Sequence, residues 1–151
     1  MMSDIDFRRA TLADVPAIVA LMADDYLGAR RESPDDLPLY QEAFARVEQD
    51  PGQFLVVGER DGTVLATAHL TFIPGLSRRG ATRAIVEAVR VSSTERGAGL
   101  GSALMHWVIA ECRSRGCDLL QLTSDNTRLE AHRFYQKLGF AQSHAGFKYE
   151  L

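Results

Sequence analysis

A chain of 151 residues with 46% hydrophobic and 25% charged residues has the size and balance of one domain, residues 1–151, able to bury its own core. A formal net charge of -3 argues against nucleic acid as a partner, and no uncharged apolar run approaches the roughly 18 residues that would span a membrane. The opening MMSDIDFRRA is too polar for a secretory signal, so a cytoplasmic location is expected, with Cys112 and Cys117 as free thiols.

DIDFRRAT, residues 4–11, reads as a first strand. Thr11 or Asp14 is placed to cap the next helix, with Pro16 in its first turn and Val15, Ile18, Val19 and Met22 along one face. ARRESPDD, residues 29–36, is a polar break. A second helix is predicted over Leu37–Glu48, carrying Leu39, Ala43, Phe44 and Val47 at helical spacing and ended by Asp50-Pro51-Gly52. The period then changes to two. Residues 53–73, QFLVVGERDGTVLATAHLTFI, are two apolar runs joined at Asp61-Gly62, a hairpin signal because such a turn needs positive φ. After the loop PGLSRRGAT comes the strand RAIVEAVRV, residues 83–91, with Ile85, Glu87, Val89 and Val91 expected on one face.

Arg96-Gly97-Ala98-Gly99-Leu100-Gly101 then opens a helix from about Leu100 to Arg115, ended by Gly116. DLLQLTS is a strand. RLEAHRFYQKLG is a last helix with Gly139 just past its end, and FAQSHAGFKYEL is read as two short final strands. The order is β-α-α-β-β-β-α-β-α-β-β. It predicts an α/β fold: a single mixed, mostly antiparallel sheet with a central parallel strand pair from the Arg83–Ser124 unit, covered by helices.

A strand that feeds a glycine loop and a helix start is suited to an anion. The first N–H groups of a helix have no internal partner, the macrodipole adds partial positive charge, and Arg96 adds a full one. The loop is therefore expected to face a phosphate or pyrophosphate; the other reading is that Gly97 and Gly99 serve a tight turn. Gly-Lys-Ser/Thr is missing, and the spacing is GxGxG rather than GxGxxG with one parallel unit. Neither a nucleoside-triphosphate loop nor a dinucleotide fold fits.

The hexapeptide Arg96–Gly101 matches the Arg/Gln-x-x-Gly-x-Gly/Ala signature of the GNAT superfamily of acetyl-CoA-dependent N-acetyltransferases, and HRFYQKLGF, residues 132–140, resembles its aromatic–Tyr–x–x–x–Gly–Phe block. The element order resembles that family over essentially the whole chain. The resemblance implies a GNAT-like acyl-CoA acyltransferase fold, acetyl-CoA as acetyl donor, and direct attack of an amine on the thioester. It assigns the pyrophosphate to the backbone of Arg96, Gly97, Ala98, Gly99, Leu100, Gly101 and Ser102. It assigns the pantetheine arm to the main chain of Val89, Arg90 and Val91, where the strand splays from Leu119–Thr123. Tyr135 matches the tyrosine that protonates the leaving thiolate, with Phe134, one residue off, expected to face elsewhere. Glu87 is the candidate base, a carboxylate mid-strand among apolar neighbours that needs water or a partner; an ion pair with a nearby Arg is the other reading. Where the family places an Asn seven residues before the tyrosine stands Arg128, with Asn126 two residues earlier. Both are assigned to coenzyme A, Arg128 to its 3′-phosphate or to an anionic substrate.

Residues 128–144, RLEAHRFYQKLGFAQSH, resemble more specifically the aminoalkylphosphonate acetyltransferases. That implies a small amine bearing an anion, with Arg78, Arg79 and Arg83 as candidate holders. A protein N-terminal or lysine acetyltransferase, or a non-catalytic acyl-CoA-binding protein, are the alternatives. His69, His132 and His144 are read as structural rather than as a metal site, and a homodimer is implied by the family.

Overall fold

The computed structural model describes residues 4–151. Two compact units are present, one ending at Gln121 and one spanning Leu122–Leu151.

The first unit is built on a five-stranded sheet in sequence order: β1 (Asp6–Arg9), β2 (Gln53–Arg60), β3 (Thr63–Pro74), β4 (Thr82–Val91) and β5 (Leu119–Gln121). β1 to β4 pair antiparallel, and β4 and β5 pair parallel. The parallel pair lies at one edge of the sheet rather than at its centre, because among the described residues no strand pairs with the far side of β5. The hairpin forms at Asp61-Gly62, whose φ values of 52° and 80° suit the tight turn that matches strand twist.

Helices of this unit are α1 (Val15–Ala23), α2 (Tyr26–Arg31), α3 (Leu37–Gln49), the single turn α4 (Ser77–Gly80) and α5 (Leu100–Ser114). α5 covers one face of the sheet. Its Trp107 ring lies 6.0 Å from that of Phe7 and 5.5 Å from that of Phe54, and Leu104, Met105 and Val108 are fully buried. The opposite face carries the cluster Ala10, Val15, Ile18, Val19, Phe44 and Val57, drawn from the end of β1, α1, α3 and β2. Val56 and Val57 are neighbours on β2, so they point to opposite faces, and both are fully buried. Cys112 and Cys117 are free thiols, and burial pushes the Cys112 thiol up to about 12.

α2 runs into the stretch read as a polar break, taking in Ala29–Arg31. A six-residue helix has no periodicity to show, and it forms because Gly28 lets the chain fold back onto α1. A Cβ at Gly28 would sit 1.8 Å from the Met22 carbonyl oxygen. Asp25 caps the helix by accepting from the Gly28 N–H.

The second unit contains α6 (Leu129–Leu138), ended by Gly139 at φ 109° as its sequence position suggests. The Asp125 carboxylate accepts from the Thr127 N–H and hydroxyl at 2.9 and 2.6 Å, shaping the turn ahead of the helix. The two final strands do not form. Residues 140–151 have no strand conformation, and every residue from Ala141 on is exposed, including Phe147, Tyr149 and Leu151. Alternation alone cannot make a strand without a neighbour to hydrogen-bond.

One polar group is buried where β1 meets α1. Asp14 is 7% exposed and accepts from both terminal nitrogens of Arg8 at 2.8 and 2.9 Å and from the Thr11 N–H at 2.7 Å. Arg8 also donates to Glu59 on β2. The Arg8 guanidinium holds the Asp14 carboxyl below its usual value of 3.8. Asp14→Ala is expected to cost about 2–3 kcal/mol at pH 7 by urea denaturation, from lost charge-assisted bonds and a lost cap. Because the folded pKa is depressed, this stability is present above the unfolded value and is lost as pH falls through the folded one. The gap between wild type and variant should narrow below about pH 4; an equal gap at pH 7 and pH 3 would count against the pair.

Candidate functional site

β4 is paired unequally along its two edges. On the β3 side the ladder runs from Thr82 to Val91. On the β5 side it ends at the pair Ile85–Gln121. From Val86 to Val91 the outer edge of β4 therefore has no strand partner among the described residues, so its backbone groups are free to meet an extended ligand.

The β3–β4 ladder contains a bulge. Thr67 pairs with Arg90 and His69 with Glu87, which leaves Ala68 opposite both Ala88 and Val89. Ala88 takes φ 49°, a left-handed conformation unusual for a residue with a Cβ. The extra residue resets the alternation. Thr67 and His69 share one face of β3, so Arg90 shares the face of Ile85 and Glu87, whereas Val89 and Val91 do not continue it. The simple period-two reading of residues 85–91 is corrected on this point. Strict alternation holds only where no residue is inserted.

Arg90 is held on that face. Its Nε lies 3.2 Å from Asp25 Oδ2, and its Nη1 donates to the Val89 carbonyl at 3.0 Å. Asp25 thus caps α2 with one oxygen and pairs with β4 through the other. Glu87 itself is exposed, and its carboxylate makes no hydrogen bond or ion pair among the described residues. It is available to a ligand and is not the partner of a neighbouring arginine. Opposite it, His69 is half-buried, and its Nε2 lies 2.7 Å from Gln53 Oε1, which also accepts from the Thr71 hydroxyl at 2.9 Å. Burial lowers the His69 pKa, with the Glu87 charge partly offsetting it. This His69–Gln53–Thr71 group and the Asp25 pairing were not anticipated from the sequence, since both depend on strand register.

β4 leads into the glycine loop. The ion pair of Arg60 with Glu95, 2.7 Å, fixes the short turn Ser93–Glu95 to β2. Gly97 and Gly99 both take φ 80°, and a Cβ at either would meet nothing within 4 Å. Their glycine is required by backbone conformation, and the space in front of them is open. The first intrahelical bond of α5 runs from the Ala103 N–H to the Gly99 carbonyl at 3.0 Å. The N–H groups of Leu100, Gly101 and Ser102 have no acceptor within the helix, and Arg96 is exposed beside them.

In the second unit, Asn126 and Arg128 are exposed ahead of α6, and Tyr135 lies within it, half-buried. The Tyr135 ring meets Phe134 edge-on at 5.2 Å and Phe140 at 5.7 Å. Phe134 does not face away as its position suggested. Adjacent residues on a helix are offset by about 100°, and two large rings still reach across that offset.

A sequence model of the acetyltransferase (GNAT) family matches residues 15–140, which take in both the glycine loop and HRFYQKLGF. An aminoalkylphosphonate N-acetyltransferase from Salmonella typhimurium is 30% identical over 142 residues, 94% of this chain and 88% of that protein. A glucosamine 6-phosphate N-acetyltransferase from Trypanosoma brucei brucei is 38% identical over 79 residues, 52% of each. Among solved structures, one described as a transcriptional regulator from Bacillus halodurans superposes with a TM-score of 0.94 at 39% identity, covering 98% of this chain and 100% of that one. The chain belongs to the GNAT acetyltransferase family and is an N-acetyltransferase.

Proposed function

We propose that the protein transfers an acetyl group from acetyl-CoA to the primary amine of a small anionic molecule, acting as one domain over residues 1–151. The observation that carries this reading is the outer edge of β4, open from Val86 to Val91 and continuous with the Gly97–Gly99 loop. The main chain of Val89, Arg90 and Val91 pairs with the pantetheine arm as an added strand. The N–H groups of Leu100, Gly101 and Ser102, with Arg96, Gly97, Ala98 and Gly99, receive the pyrophosphate. Asn126 and Arg128 contact coenzyme A from the start of α6.

Glu87 takes a proton from the bound ammonium, which frees the nitrogen lone pair to attack the thioester carbon. A backbone N–H of the open edge steadies the developing oxyanion. As the C–S bond breaks, Tyr135 gives its phenolic proton to the thiolate, and the second proton lost by nitrogen as the amide forms returns to the Tyr135 oxygen through solvent. The relatives named above support an anionic acceptor, since aminoalkylphosphonates and glucosamine 6-phosphate both pair an amine with a phosphorus oxyanion. Arg83 shares the face of Glu87, and Arg78 and Arg79 hold left-handed conformations at φ 54° and 63° in the loop before it. Backbone strain at two adjacent charged residues supports a binding role for them. A homodimer belongs to the same reading, with the exposed Phe147, Tyr149 and Leu151 as apolar surface to bury.

Three variants test these roles. Glu87→Gln is expected to lower kcat/KM about 100-fold and to remove the acidic limb of its pH profile; an unchanged profile would end its role as base. Tyr135→Phe should lower kcat about 100-fold while leaving acetyl-CoA affinity by calorimetry as in wild type. Gly99→Val strains the loop without a steric clash and should weaken acetyl-CoA binding at least about tenfold. Unchanged affinity would move the pyrophosphate away from this loop.

A further inference from the structure

We propose that His69 is the second receptor for the acceptor's ammonium group, offering the lone pair of Nδ1 beside the carboxylate of Glu87. The inference rests on Glu87 acting as the base. Gln53 Oε1 carries lone pairs and no hydrogen, so the His69 nitrogen at 2.7 Å from it must donate. The Thr71 hydroxyl donates to the same oxygen at 2.9 Å and fixes its position. His69 is thereby held as the Nε2–H tautomer, with Nδ1 as an acceptor. Nδ1 makes no hydrogen bond among the described residues.

His69 and Glu87 face each other across the β3–β4 ladder, so their Cβ atoms are about 5 Å apart on one face of the sheet. β2 flanks His69 with Gln53 and Leu55, and Glu87 on β4 is the charged group acting on it. Burial keeps the ring neutral at pH 7. Two acceptors of different kinds then share one small area, an anion and a neutral lone pair.

A primary ammonium has three N–H bonds to satisfy. One points to Glu87, which takes that proton as an O–H bond forms and the N–H bond breaks. Another is received by His69 Nδ1, which accepts a hydrogen bond and never a proton, so the imidazole stays neutral throughout. The pair selects an acceptor with at least two N–H bonds; the freed lone pair lies where the proton given to Glu87 had been, and the amine turns about its C–N bond to present it to the thioester.

The test joins ring spectroscopy to a thiol-release assay with 2-aminoethylphosphonate as the probe acceptor. At pH 7 the 15N shifts of His69 should report the Nε2–H tautomer; the Nδ1–H tautomer or an imidazolium overturns the proposal. This measurement needs no turnover. In the assay, His69→Asn keeps an amide oxygen near the Nδ1 position and should retain most of kcat/KM. His69→Gln and His69→Leu should each lose about tenfold with acetyl-CoA affinity unchanged. Equal losses in all three variants mean a packing role and overturn it. If Glu87→Gln is inactive while His69→Leu behaves as wild type, the base stands and the His69 role falls. If Glu87→Gln keeps full activity, the reading of Glu87 fails first.

Discussion

Between the pairs His69–Glu87 and Thr67–Arg90, the ladder sets Ala68 of β3 against two residues of β4. That inserted residue carries the geometry of the site. A bulge bends its strand and increases the local twist. Here it comes just after the parallel ladder with β5 has ended, so β4 continues with one edge paired and the other open. It also resets the alternation and brings Arg90 onto the face of Glu87. The cost is a left-handed alanine, of the order of 1 kcal/mol, sustained by the β3 pairing on both sides of it.

The neighbouring interactions serve to hold this arrangement. Gly28 permits the close return of α2, which sets Asp25 against Arg90. Arg60 and Glu95 fix the turn that precedes the glycine loop. Gln53 and Thr71 fix the ring of His69. The anchors draw on β2, β3 and the helix pair α1 and α2, so the candidate face of β4 is held by elements packed around it. Glu87 and the loop residues Arg96 to Gly99 remain exposed, as the substrate contacts proposed for them require.

Much of this was legible in the sequence where local chemistry decides the structure. Asp61-Gly62 announced its turn, Gly97, Gly99, Gly116 and Gly139 marked positive φ, and the apolar spacing of Leu100, Leu104 and Val108 marked α5. What was hidden depends on contacts between distant residues. α2 rests on one close approach at Gly28. The bulge falls on an alanine, which carries no signal for positive φ. His69 acquires meaning from its register with Glu87, and that register needs the bulge. The final residues alternate like a strand, yet alternation describes a face and supplies no hydrogen-bonding neighbour.

The central claim is that the open edge of β4 and the start of α5 form one continuous surface for an acyl-CoA arm. Amide hydrogen exchange, resolved by residue with and without saturating coenzyme A, reads that surface directly. Protection should rise at least about tenfold along Val89–Val91 and at Leu100, Gly101 and Ser102, with little change along β1 and β2. Protection gained at the glycine loop but not along β4 would contradict pairing of the arm with the strand. Saturation that leaves both segments exchanging as in the free protein would contradict the whole account.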